Sequence, residues 1–413
     1  MLAPPIMTLG QIALAASRPP THIPRATGQI PLWRDERVLR GTAQTASAIV
    51  VLFILYLGLS NVLTAASQRG LSLGFGFLDQ SAGFPIAETP IPYTPSDTFR
   101  TAFVAGVLNT LKVAGLGVVL ATILGTLVGL ARLSSNWLVN RLALVYIEAH
   151  RNIPLLVLLF LWYRGVWTTQ LPGVKDAVRW PGPTYLTQRG VFMVWPHLTP
   201  SGTPFAVMLG LGIVSALAAW FILRRIRERT GRATYFGGVS AGLLILLPLV
   251  GWFISGGQPL AWEAPQLQTF NFVGGVHLTP EFVALLVSLV MYTAAFIAEV
   301  VRAGIQAVDQ GQTEAARALG LSAAHVLGLV ILPQALRVII PPLISQYLNL
   351  TKNSSLAFFI GFPEVFTVSR IMINQAGRAV PVFLMMMGAY LAMSLLTSFI
   401  LNIYNRRIQL VER

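Results

Sequence analysis

The chain has 413 residues, 54% of them hydrophobic and only 11% charged, with a mean hydropathy of +0.67 and a net charge of +14. That composition excludes an ordinary soluble domain and indicates a polytopic membrane protein. The arginines cluster beside apolar segments without interleaved aromatics, which argues against nucleic-acid binding, and the lack of cysteine excludes disulfides and thiolate metal sites.

In chain order, residues 1–44 read as a cytoplasmic tail whose short apolar runs do not make a cleaved signal peptide. The first transmembrane helix is expected at 45–66, so that it serves as an uncleaved insertion signal, and an external loop completes the segment 45–97. Further spans are expected at 99–131, 142–163, 204–223, 236–255, 281–301, 338–360 and 381–402, each near the roughly 20 apolar residues that cross the hydrocarbon layer. The second is longer than a membrane needs, so its outer end should project or tilt. Residues 164–203 are a loop rich in Pro, Trp and Gly, 256–280 a polar and aromatic loop, and 406–413 a short cytoplasmic tail. The expectation is an all-α fold of about eight transmembrane helices.

Eight spans place both termini on one side. Putting that side in the cytoplasm leaves 18 of the 29 Lys and Arg residues in cytoplasmic segments, as the positive-inside rule requires. One loop dissents: 164–203 carries Arg164, Lys175, Arg179 and Arg189 against Asp176 alone, yet it is external in this topology.

Charged and amide groups within spans are the informative positions, because an ionisable group at the bilayer centre costs about 2.5–3.5 kcal/mol or more. Glu148 and Arg151 are three apart on the third expected span, with Asn152 following. They form either a mutual ion pair or a polar lining for the ammonium and carboxylate of an amino acid. Pro154 removes a backbone hydrogen bond nearby and so introduces a kink. A second cluster, Asn349, Thr351, Lys352, Asn353, Ser354 and Ser355, falls near the middle of the seventh span and must face protein or water. Lys352 either holds a substrate carboxylate or pairs with Glu148 or Glu299. None of the three lysines follows a glycine, so there is no phosphate-binding G-x-x-x-x-G-K-[ST] loop in this chain.

The stretch 309–333 lies between two apolar segments but is itself neither long nor apolar enough to be a span. It reads as two short helices. Thr313 caps the first, Glu314 stands in its first turn, Ala315 and Ala316 favour helix, and Gly320 stops it. Ser322 caps a second, running to Pro333. Small residues there permit close approach by another protein, although an amphipathic helix lying on the bilayer fits the local pattern equally well.

Glu314-Ala315-Ala316, then Gly320, then Ile331-Leu332-Pro333 resemble the EAA loop of ABC-importer permeases, with Val330 standing where that family usually has Ile. The stretches 109–114 (NTLKVA), 146–156 (YIEAHRNIPLL), 298–308 (AEVVRAGIQAV) and 346–361 (QYLNLTKNSSLAFFIG) are similar to the polar amino-acid branch, and most of all to the general L-amino-acid permeases. The resemblance implies a five-helix permease core, in two parts at 98–163 and 281–405. To it are added the N-terminal helix and a two-helix insertion at 164–280. It further implies a subunit of the bacterial inner membrane that is not itself an enzyme. Its loop, through Glu314, Ala315, Ala316, Gly320, Leu332 and Pro333, would dock on an ATPase subunit present in two copies. ATP and Mg would be bound by that partner, with no cofactor in this chain. A second permease subunit, similar or identical, would complete the pathway, and a periplasmic amino-acid-binding protein would deliver substrate. The family often has an acid where this chain has Asn353. An ion-coupled secondary amino-acid carrier is the alternative, and it predicts inverted repeats of broken helices that the two halves do not show. A membrane scaffold would need no polar cluster within a span.

Overall fold

A computed structural model describes residues 36–68 and 74–408. The chain divides into two compact units, Met1–Ser72 and Leu73–Arg413. In the first, α1 (Glu36–Gln68) contains an apolar window, Leu39–Gly58, long enough to cross a bilayer. Residues 36–44 are therefore helical where a tail was expected, with Arg40 paired to Glu36 at 2.6 Å one turn away. The tail residues before 36 lie outside the described residues.

The second unit is built around two long helices, α2 (Phe99–Arg132) and, later in the chain, α7 (Pro280–Gln306). They run side by side in the same direction because two glycines remove the bulk between them. A Cβ at Gly125 would lie 2.6 Å from that of Ile297, and one at Gly129 would lie 2.7 Å from the Ala298 carbonyl oxygen. Without a hydrophobic driving force between helices in lipid, such backbone proximity is what makes dispersion forces effective. At 1.5 Å per residue α2 is about 51 Å long, well beyond the hydrocarbon thickness of about 30 Å. Its first turns accordingly project into a small extramembrane core where Phe77, Phe84 and Phe99 pack with Val368 and Met372.

The expected third span, 142–163, is not one rod. It is α3 (Trp137–Asn152) and α4 (Leu155–Phe160), the latter continued by a π-helical turn to Trp167, and the two meet at 104°. Pro154 and the extended Ile153 break the ladder there, and the result is a corner where a modest kink was expected. With that pair counted as one span there are eight helices or pairs long and apolar enough to cross a membrane among the described residues, and without it seven.

The insertion contains a helical hairpin, α5 (Thr203–Thr230) and α6 (Phe236–Ile254), at the positions expected. Its long loops are not irregular. They form short antiparallel strands: β1 (Val178–Trp180), β2 (Thr184–Thr187), β3 (Gly190–Met193) and β4 (Trp195–Leu198), then β5 (Leu260–Glu263), β6 (Gln266–Leu267), β7 (Phe272–Val273) and β8 (Val276–Leu278). The largest sheet runs β1-β2-β3-β8; its Tyr185 and Phe192 pack on Phe272 of β7, and His277 stacks on Phe192.

After α7 come α8 (Gln310–Ala318), the short α9 (Ala323–His325) with a π-helical turn to Ile331, and α10 (Leu332–Asn353). A 3-10 turn (Ser354–Ile360), α11 (Val365–Ala376) and α12 (Ala379–Ile408) complete the unit. Contacts fix the directions. Gly304 would meet Ile339 and Phe282 faces Phe362, so α10 runs against α7; Thr122 bonds Tyr347 at 2.8 Å, so it also runs against α2. One end of the bundle thus carries the α8–α9 stretch and the opposite end carries the β strands.

Candidate functional site

The stretch 309–333 is capped differently from expectation. Asp309, not Thr313, is the N-cap of α8, accepting from Gly311 N at 2.6 Å, so Glu314 stands in the second turn. The C-terminal stop is as anticipated. Gly320 has φ +78, Gly320 N donates to Arg317 O and Leu321 N donates to Ala316 O at 3.2 Å, the paired closure of a Schellman turn. A Cβ at Gly320 would meet nothing within 4 Å. Glycine is therefore required here for backbone conformation and not for space. Ser322 caps α9 as expected, its Oγ accepting from His325 N.

The helix it starts does not end at Pro333. It passes through the π-helical turn into α10, a stretch of 38 residues from Ala323 to Ile360. The wider turn shifts the hydrogen-bond register so that Pro333 loses nothing by lacking an N–H, and the Val330 carbonyl is taken by the Gln334 side chain at 3.0 Å. Glu314, Ala315, Gly320, Leu332 and Pro333 are exposed. Ala316 is buried, so its methyl is not itself presented on the surface of the stretch. Leu319, the C-cap of α8, is 82% exposed and was not singled out from the sequence.

The polar positions within spans form two groups that no hydrogen bond or ion pair joins among the described residues. Glu148, Arg151 and Asn152 are exposed on the last turn of α3. Glu148 accepts from Asn152 at 3.1 Å and Arg151 lies over the Phe296 ring at 5.4 Å, so of the two alternatives the Glu148–Arg151 ion pair is not formed. Glu299 is bound by Arg302 through Nε at 3.1 Å and through Nη2, and Arg151 and Arg132 add their field.

In the second group, the expected mid-span cluster sits at the end of α10, where the helix tightens to a 3-10 turn. Half of it is satisfied internally: Thr351 and Ser354 are buried, donating to Tyr347 O at 3.0 Å and to Thr351 O at 2.7 Å, and Ser355 donates to Lys352 O at 2.8 Å. Ser354 therefore lines nothing. Asn353 is half-buried, while Asn349 and Lys352 are exposed, and neither Glu148 nor Glu299 is engaged with Lys352.

A third polar assembly was missed. Glu88 of the outer loop pairs with Lys112 of α2, accepts from Thr279 Oγ1 at 2.6 Å, and is 9% exposed in its side chain. Thr279 is the N-cap of α7. Lys112 also sits 4.3 Å over the Phe282 ring, and Asn109 Nδ2 donates to the carbonyls of Glu88 and Pro363. Close by, Glu364 caps α11, accepting from Phe366 N, Thr367 N and the Tyr390 hydroxyl; full burial pushes its carboxyl above the usual range. The only sequence signal for the first pairing is that Lys112 falls inside an apolar span.

The family described as Binding-protein-dependent transport system inner membrane component matches residues 208–410. YhdX of Escherichia coli (strain K12), named for amino-acid ABC transport, is 45% identical over 354 residues, 86% of this chain and 90% of its own. The general L-amino acid transport system permease protein AapQ of Rhizobium johnstonii is 42% identical over 88% of this chain and 90% of its own. The glutamate/glutamine/aspartate/asparagine transport system permease protein BztB of Rhodobacter capsulatus is 41% identical over 88% and 93%. With likeness of this degree over most of both lengths, the chain belongs to the inner membrane permease components of amino-acid ABC transporters.

Proposed function

We propose that this chain forms half of an amino-acid translocation pathway and couples it, through residues 309–333, to an ATPase that binds ATP and Mg outside this chain. A periplasmic binding protein presents the substrate at the end that carries the β strands. Both termini and the coupling stretch are cytoplasmic. The transport core is 98–163 with 281–405, and 164–280 is an addition to it. A second permease, similar or identical, covers the face on which Asn349, Lys352, Glu148 and Arg151 are exposed. Bare charges at those depths are costly against lipid, so their exposure in the single chain supports a protein-lined aqueous path.

The observation that carries the coupling reading is the tip of the stretch. A short helix closed by Gly320 holds Leu319 outward, 82% exposed, at the end of the bundle opposite the strands. An apolar side chain exposed at the end of a short, capped helix is what a cleft in another protein would receive. Gly320→Asp tests it. At φ +78 a side chain costs about 1–2 kcal/mol, too little to unfold the chain but enough to disturb the tip, where it also adds a charge. The variant should reach the membrane, yet lose transport and the stimulation of ATPase activity by loaded binding protein. Normal amino-acid uptake by this variant would end the coupling reading.

A further inference from the structure

The α5–α6 hairpin packs chiefly on itself. Only 11% of each apolar window is buried, against 56% for α7, so the rest of this chain covers little of it. From Thr203 to Arg224 α5 rises about 32 Å, the thickness of the hydrocarbon layer. Arg224 therefore stands at headgroup depth. Arg225, Arg227, Arg229 and Arg232 follow, with Glu228 the one acid among them.

The positive-inside rule accounts for the sign of these charges but not for how they are used. Arg224 Nε takes Glu228 at 2.8 Å, and Arg227 lies over the Phe236 ring at 5.7 Å. Arg225 and Arg229 are both exposed, one turn apart on the same stripe, and form no ion pair among the described residues. Like charges at that spacing repel. Arg232 follows directly after Gly231, whose φ of +70 ends the helix, and is exposed as well. An adjoining cleft of 510 Å³ is lined by Phe221, Arg224, Arg225 and Glu228, with Phe221 on the membrane side. All five cations are arginine, whose planar fork matches phosphate oxygens in pairs where a lysine offers a point charge.

We infer that the foot of this hairpin is a binding site for the phosphate of anionic phospholipids. The phosphodiester lies between Arg225 and Arg229, with Arg232 closing over it, and the acyl chains run along the exposed Leu217 and Phe221. The bound phosphate relieves the repulsion within the stripe and ties the hairpin to the leaflet surface.

The test uses the full-length chain in nanodiscs and in mild detergent. Native mass spectrometry should find phosphatidylglycerol or cardiolipin retained by the wild type through delipidation, and no comparable retention of phosphatidylcholine. The triple variant R225Q/R229Q/R232Q should lose at least about tenfold in affinity for those anionic lipids. A control that removes equal charge at the other end, K175Q/R179Q/R189Q, should bind them as the wild type does. Millimolar inorganic phosphate should neither displace the lipid nor raise the melting temperature. Equal lipid retention by the triple variant, or stabilisation by phosphate alone, overturns the inference. Should the triple variant misfold, the single variants Arg225→Gln and Arg229→Gln replace it, and unchanged lipid affinity in both overturns the inference equally.

Discussion

Lys112→Met isolates the contribution of the buried pair beneath the outer loop. In the wild type Glu88, 9% exposed, has three sources of stabilisation: the Lys112 ammonium, and the hydroxyl and backbone N–H of Thr279 at 2.6 and 3.3 Å. Methionine keeps the length and the contact with Phe282 but removes the cation. Breaking a buried pair from one side costs about 3–5 kcal/mol, chiefly the uncompensated charge left behind. Here both Thr279 donors remain and Lys112 is itself 30% exposed, which brings the expectation to about 2–3 kcal/mol. Chemical denaturation in detergent, followed by tryptophan fluorescence, measures it. Glu88→Gln combined with Lys112→Met should recover about half of the loss, since neutral Gln still accepts from Thr279 and carries no buried charge. The reasoning is refuted if Lys112→Met unfolds at the wild-type midpoint, or if the two substitutions add to within about 0.5 kcal/mol.

Gly125→Ala should destabilise the chain by about 1–3 kcal/mol, because the new methyl would need space already taken by Ile297 and the Ala294 carbonyl; an unchanged denaturation midpoint would show that α2 and α7 separate freely. Lys352→Ala should reduce amino-acid uptake severalfold while leaving folding and ATPase association intact, since Lys352 is exposed and takes no part in the ion pairs of the described residues; loss of folded protein instead would assign it a structural role. Cysteines introduced singly at the exposed Ser201 and Ser322, at opposite ends of the bundle, should differ toward an impermeant reagent in intact cells, with Ser201→Cys labelled. Labelling of Ser322→Cys alone would invert the topology.

What was legible in the sequence is what local chemistry dictates. Spans appear because about 20 apolar residues have one solution in a bilayer. The break at Gly320 appears because a glycine between a helix and a capping serine has a small set of conformations. What escaped depends on geometry that no local pattern encodes. Pro154 announces a kink, yet the 104° corner follows from how α4 and α3 pack on α7. Pro333 reads as a terminator, and nothing in the residues 326–331 reveals the π-helical turn that lets the helix continue. Strands of two to four residues in the insertion are too short for an alternating pattern to register. Glu88 and Lys112 are 24 positions apart, and only the docking of a loop joins them. Among the polar residues of the seventh span, composition could not separate Ser354, which turns back on its own helix, from Lys352, which does not.

The unbroken course of the chain from Ala323 into α10 makes the start of that helix, just past the Gly320 break, and the polar turn at 349–353 opposite ends of one lever. Over 30 residues that lever is about 45 Å long, and a tilt of about 5° at one end displaces the other by about 4 Å. It is not uniformly stiff. Pro341 and Pro342 lie inside it, and together they withdraw two consecutive hydrogen bonds from its backbone. Any bending concentrates at that pair. In the proposed coupling, a push delivered past the Gly320 turn at Ala323 reaches Lys352 as a change of angle about Pro341–Pro342.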